Sequence, residues 1–206
     1  MAQQVKTQIF DRISYKGKNW VFSVRDFTKD FKRWEIARVF HILEKEGKIK
    51  RVLTGLYYYP EYSNLLHEVV APDVHLAAKA LARKYAWTIY PDGDTVLNYL
   101  GLSTQLVARA VYFSDGPTKK YKIGGGSLEF KHRAIAEGRM KLESSMLVVQ
   151  AMKAIGEKQI TEDFLKALST KYKATEWQKI RRDTCNVADW VRGYIIRIAD
   201  RLNGGK

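Results

Sequence analysis

The chain has 206 residues, 46% hydrophobic and 28% charged, a globular balance with room for one or two packed cores. Thirty-six Lys and Arg against 22 Asp and Glu leave a net charge of +14, which favours an anionic partner such as nucleic acid. The single cysteine, Cys185, excludes an intramolecular disulfide and a multi-cysteine zinc site.

Gln3 to Tyr15 reads as a first helix, with Val5, Ile9, Phe10 and Ile13 on one face. Trp20-Val21-Phe22 is a short strand, and Ser23 is placed to cap a short helix from Val24 to Lys29. Asp30-Phe31 then turns into the stretch that organises the rest. From Lys32 to Glu46, the apolar residues Ile36, Val39, Phe40 and Leu43 fall at i, i+3, i+4 and i+7, one stripe of a helix that Gly47 ends. Ile49–Leu53 and Leu56–Tyr59 read as two strands joined tightly across Thr54-Gly55. Helix, strand, helix, turn, helix and hairpin make a winged helix-turn-helix in residues 1–62, with Lys32–Glu46 as its recognition helix.

At 100° per residue, Trp34, Arg38, His41 and Lys45 lie opposite the apolar stripe. Arginine in a major groove can bond guanine bidentately, so Trp34, Arg38 and His41 are candidate base readers. Lys48, Lys50 and Arg51 on the wing are candidates for phosphate contact. Arg33, at the edge of the stripe, either touches phosphate or covers the core. An ordinary solvated face would explain the charges equally, but a large aromatic such as Trp34 on that face asks for a contact.

Residues 63–206 read as a mixed α/β domain closed by a helical bundle, so the fold class is α+β overall. Glu61 to Pro72 is a connector, followed by a helix from Asp73 to Tyr85 and a strand at Trp87–Tyr90. Asp94 is placed to cap a short helix through Leu100, and Arg109–Phe113 is a strand. Lys120–Ile123 and Leu128–His132 flank Gly124-Gly125-Gly126 as a hairpin. The helical pattern occupies about 142–203, in four segments: Leu142–Ile155, Thr161–Thr170, Thr175–Cys185 and Val187–Leu202.

An enzyme reading competes. Asp115 followed by Glu129-Phe130-Lys131 is the spacing of a Mg²⁺-dependent nuclease, in which carboxylates hold the ion and a lysine stabilises charge near the phosphate. An amphipathic strand with an outward ion pair, beside an Asp-Gly-Pro turn, explains the same residues. His41, His67, His75 and His132 are scattered, and no metal or other cofactor is expected. No apolar run approaches 18 residues and the first residues are polar, so the expected location is cytoplasmic, without membrane association. Lys179, Arg181, Arg182, Arg192, Arg197 and Arg201 form a basic strip on the last helices, either a second nucleic-acid surface or a solvated face.

Five segments carry a family resemblance. Leu100-Gly101-Leu102-Ser103-Thr104-Gln105, Val111-Tyr112-Phe113-Ser114-Asp115-Gly116-Pro117 and Phe130-Lys131-His132 resemble the second domain of AbiEi-like antitoxins, from bacterial abortive-infection type IV toxin–antitoxin systems. Trp20-Val21-Phe22 and Gly55-Leu56-Tyr57 resemble their first domain. The resemblance implies a repressor of its own operon, bound to double-stranded operator DNA at inverted repeats as a homodimer or as cooperating monomers. It also implies an antitoxin that counters a toxin of nucleotidyltransferase fold, with a functional link to that toxin or to its tRNA substrate. The interaction-protein alternative binds the toxin directly and uses DNA little.

Overall fold

The computed structural model describes residues 2–104, 109–133 and 140–204. Gln105, which ends the first resembling segment, and Gly205 lie outside them. The architecture is mixed α and β, with eight α-helices and several small sheets among the described residues. The chain divides into two compact units, one of Met1–Ile89, Ala108–Ala110 and Asp115–Phe130, the other of Tyr90–Val107, Val111–Ser114 and Lys131–Lys206.

In the first unit, α1 (Ala2–Lys16) buries Ile9 and Ile13, the inward positions of its apolar face. It is followed by β1 (Val21–Phe22). A single 3-10 turn, Val24–Phe27, stands where a short α-helix is expected. Thr28 closes it by returning both its N–H and its hydroxyl to the Arg25 carbonyl, and the Phe27 carbonyl then accepts the N–H groups of Asp30 and Phe31 at 3.1 Å each in a further turn. Next, α2 (Arg33–Lys45) buries Ile36, Val39, Phe40 and Leu43, the complete predicted stripe. Its first turn is fixed by the Lys32 N–H donating to the Glu35 carboxylate at 3.0 Å. Gly47, at φ +69°, supplies the left-handed residue that ends it.

β2 (Lys50–Leu53) and β3 (Leu56–Tyr58) form the expected hairpin. β1 adds to it antiparallel in the order β1-β3-β2, with Val21 opposite Tyr58 and Phe22 opposite Tyr57. Phe22, Phe27 and Phe40 meet in the centre with ring centroids 5.3 to 5.9 Å apart. Edge-on contacts of this kind add to the area each ring removes from water.

The connector contains a small hairpin, β4 (Tyr62–Ser63) and β5 (Glu68–Val69), too short to leave a periodic signal. Asp73 caps α3 (Val74–Tyr85) by accepting the N–H groups of His75 and Leu76 at 2.7 and 2.9 Å. From this helix Arg83 donates to Asp26 at 2.6 Å and to the Val21 carbonyl at 2.9 Å, tying α3 to β1 and the 3-10 turn. β6 (Ile89–Pro91), β7 (Arg109–Ser114), β8 (Lys119–Ile123) and β9 (Gly126–His132) form a sheet in the order β6-β7-β9-β8. Ile123 pairs with Gly126, so the β8–β9 turn is Gly124-Gly125, with Gly124 at φ +56°.

The second unit contains α4 (Gly93–Tyr99), α5 (Glu143–Ile155), α6 (Glu162–Ser169), α7 (Ala174–Asp183) and α8 (Asp189–Asn203). The cap of α4 is Asp92 rather than Asp94, because Asp92 is the residue with extended backbone whose carboxylate reaches the Gly93 N–H. The core is built round Trp177, fully buried, whose indole N–H donates to the Ser169 carbonyl at 3.0 Å. No helix among the described residues is long and apolar enough to cross a membrane.

Candidate nucleic-acid interface

The four buried residues of α2 fix which way its other side points. Trp34, Arg38, His41 and Lys45 are all exposed, as is Arg33, and Trp34 leaves 63% of its surface open. Among the described residues, the side chains of Arg33, Arg38, His41 and Lys45 have no ion-pair or hydrogen-bond partner. The helix therefore presents three cations, a histidine and an indole with their polar atoms unengaged. Beside them, α1 and α2 border an open groove of about 500 Å³ that Val5, Val39, Ile42, Trp34 and Arg38 line.

The cations of the β2–β3 hairpin and the turn before it differ from one another. Lys50 is exposed and unpartnered among the described residues. Lys48 pairs with Glu46 at 3.2 Å and lies 5.0 Å from the Phe10 ring centroid. Lys6 binds the same carboxylate, and hydrogen bonds from Lys6 and Lys48 hold Glu46 below the usual carboxylate range. Arg51 is gripped by Glu44 and stands over the Tyr57 ring at 5.4 Å. Of Lys48, Lys50 and Arg51, only Lys50 is thus unengaged among the described residues. Lys84, placed by sequence in an ordinary helix, joins this region by donating to the Thr54 carbonyl at the hairpin tip at 2.9 Å. A pairing 30 residues distant leaves no mark in local periodicity.

The two carboxylates of the nuclease spacing are engaged in other ways. Asp115 accepts the Thr88 N–H at 2.9 Å and returns its own N–H to the Thr88 carbonyl at 3.3 Å, which is turn chemistry. Glu129 was expected on an outward strand face with Lys131. It is 6% exposed instead, because Lys120 stands directly opposite in the strand register and Arg109 pairs with its carboxylate. No three His, Cys, Asp or Glu gather among the described residues in an arrangement that could hold an ion.

A family model described as a family of unknown function, DUF6088, matches residues 8–180. The chain belongs to the DUF6088 family. No curated protein and no solved structure matches it. The DUF6088 match runs from within α1 to within α7, so it takes in all of α2, the β2–β3 hairpin and Lys84.

The basic strip of this DUF6088 chain is largely neutralised from within. Glu162 pairs with Arg197 and with Arg201, the latter at 2.8 Å. Asp200 takes Arg181 at 2.7 Å, and Glu176 takes Lys179 at 3.2 Å. Arg192 donates to the Cys185 carbonyl at 3.3 Å. Arg182 alone of the six has no such partner among the described residues. Exposed pairs contribute little to stability, but they cancel the field that would attract a polyanion.

Proposed function

We propose that this chain is a sequence-specific DNA-binding repressor whose first 62 residues act as a winged helix-turn-helix. The observation that carries the reading is the unengaged side of α2, where Trp34, Arg38, His41 and Lys45 stand opposite a buried stripe. In this reading α2 enters a major groove, Arg38 reads guanine, and Trp34 and His41 touch neighbouring bases. Arg33, Lys45 and Lys50 neutralise phosphates, and Lys48 and Arg51 join them once they leave their carboxylates. Two copies meet on an inverted repeat, as a homodimer or as cooperating monomers.

The resemblance to AbiEi-like antitoxins extends the proposal. The repressor controls its own operon, and the remainder of the chain counters a nucleotidyltransferase toxin. The deciding experiment is a gel-shift titration of the full chain on its own upstream DNA against a scrambled duplex, at one near-physiological salt concentration. Preferential retardation of the upstream repeats supports the reading. Equal, weak retardation of both duplexes overturns it.

A further inference from the structure

A second cationic-aromatic surface lies on the first unit, at the end of α3. There Tyr85 stacks on Trp87 with centroids 4.7 Å apart and planes 24° from parallel. The indole is backed by the Asp115-Gly116-Pro117 turn. A Cβ on Gly116 would stand 2.3 Å from Cε2, 2.5 Å from Cδ2 and 2.5 Å from Nε1 of Trp87. Near-equal distances to three atoms that lie across the ring junction place this backbone over the indole face rather than at its edge. Phe130 meets Trp87 at 69° with centroids 5.5 Å apart, which fixes the indole laterally. Tyr85 thus rests on a rigid support and keeps 40% of its surface open.

Cations frame this stack. Lys119 Nζ lies 5.5 Å from the Tyr85 centroid and 5.9 Å from that of Trp87, and Lys84 Nζ lies 5.2 Å from Tyr85. Lys119 has no carboxylate partner among the described residues. Lys84 also touches the Thr54 carbonyl, and Arg25 donates to the Lys84 carbonyl at 3.1 Å, so the cationic rim continues to the hairpin tip.

We infer that Tyr85, supported by Trp87 and framed by Lys84 and Lys119, is a stacking platform for an unpaired nucleotide. An aromatic face held rigid loses little entropy when a base stacks on it, and every base has a π-face to offer. Lysines beside the ring meet the phosphates on either side of that base. Duplex bases are already stacked, so the platform takes single-stranded DNA or RNA. Platform and α2 face share no residue, and the platform stands whether or not α2 reads operator DNA.

The test is fluorescence anisotropy of the full chain with labelled oligothymidylate and oligouridylate of about 12 nucleotides, beside a duplex of random sequence. Tyr85→Ala and Lys119→Ala are expected to weaken single-strand binding about fivefold or more and to leave duplex binding in place. Tyr85→Phe keeps the ring and is expected to bind as the parent does, which separates stacking from loss of fold. The two oligonucleotides show whether deoxyribose or ribose is preferred. Absence of single-strand binding by the parent chain overturns the inference. So does an unchanged affinity in Tyr85→Ala, or a loss shared equally with the duplex.

Discussion

Arg51 holds Glu44 with both arms of its guanidinium, Nε to Oε1 at 3.1 Å and Nη2 to Oε2 at 2.9 Å. The pair joins the last full turn of α2 to the first strand of the hairpin and engages a candidate phosphate contact. An exposed pair of this kind contributes little to stability, so a phosphate can compete with it. Glu44→Gln should therefore free Arg51 and tighten binding to any duplex severalfold, steepening the salt dependence by about one ion. Arg51→Ala should cost less than Lys50→Ala, since Lys50 needs no release. Titrations at several salt concentrations check both. An unchanged salt slope in Glu44→Gln would mean that Arg51 faces away from the DNA.

Arg38 and Lys50 should separate by what they lose. Bidentate base contacts discriminate by about 1–3 kcal/mol, whereas phosphate contacts carry no sequence information. Arg38→Ala is expected to weaken operator binding while leaving random DNA nearly unaffected. Lys50→Ala is expected to weaken both alike. Competition titrations with operator and scrambled duplex measure the ratio, and equal losses for Arg38→Ala would remove it from base reading.

The stripe Ile36, Val39, Phe40 and Leu43 was legible because helical burial repeats within seven residues, and all four are buried. Glycines were equally legible at Gly47 and Gly55, where φ of +69° and +72° excludes most side chains. Pairings between elements were not. Nothing near Arg51 in sequence marks Glu44 as its partner, and alternation placed Glu129 outward because it cannot register Arg109 from another strand. The Asp115-Gly116-Pro117 segment read as a turn. That its glycine makes room for an indole 29 residues earlier became visible only in the folded chain.

Gly116 should tolerate no side chain. A methyl group there meets three indole atoms that Phe130 and Tyr85 keep from yielding. Gly116→Ala is expected to destabilise the fold by about 1–3 kcal/mol, the range for overpacking a filled site. Gly125→Ala is the control, since nothing lies within 4 Å of its would-be Cβ. Denaturant unfolding of the two variants measures the difference, and equal midpoints would mean that Trp87 can move aside.

Asp183, at the end of α7, accepts the N–H groups of Lys141 and Leu142, at 3.0 Å each for the closer contacts, where α5 begins. Burial alone would push its carboxyl up, but these two backbone hydrogen bonds, helped by the Ser145 hydroxyl and the Lys141 charge, bring it below the ordinary value. A carboxylate whose folded pKa is depressed stabilises fully above its unfolded pKa of about 3.9 and loses that contribution as pH falls through the folded value. Asp183→Ala should therefore cost about 1 kcal/mol at neutral pH, the usual net worth of an intramolecular hydrogen bond. Below about pH 4 the difference from the parent should shrink, because the parent's own carboxyl is then taking up its proton. Urea midpoints of both proteins, measured from pH 7 downward, test this. A constant gap across that range would show that Asp183 acts through packing and not through its charge.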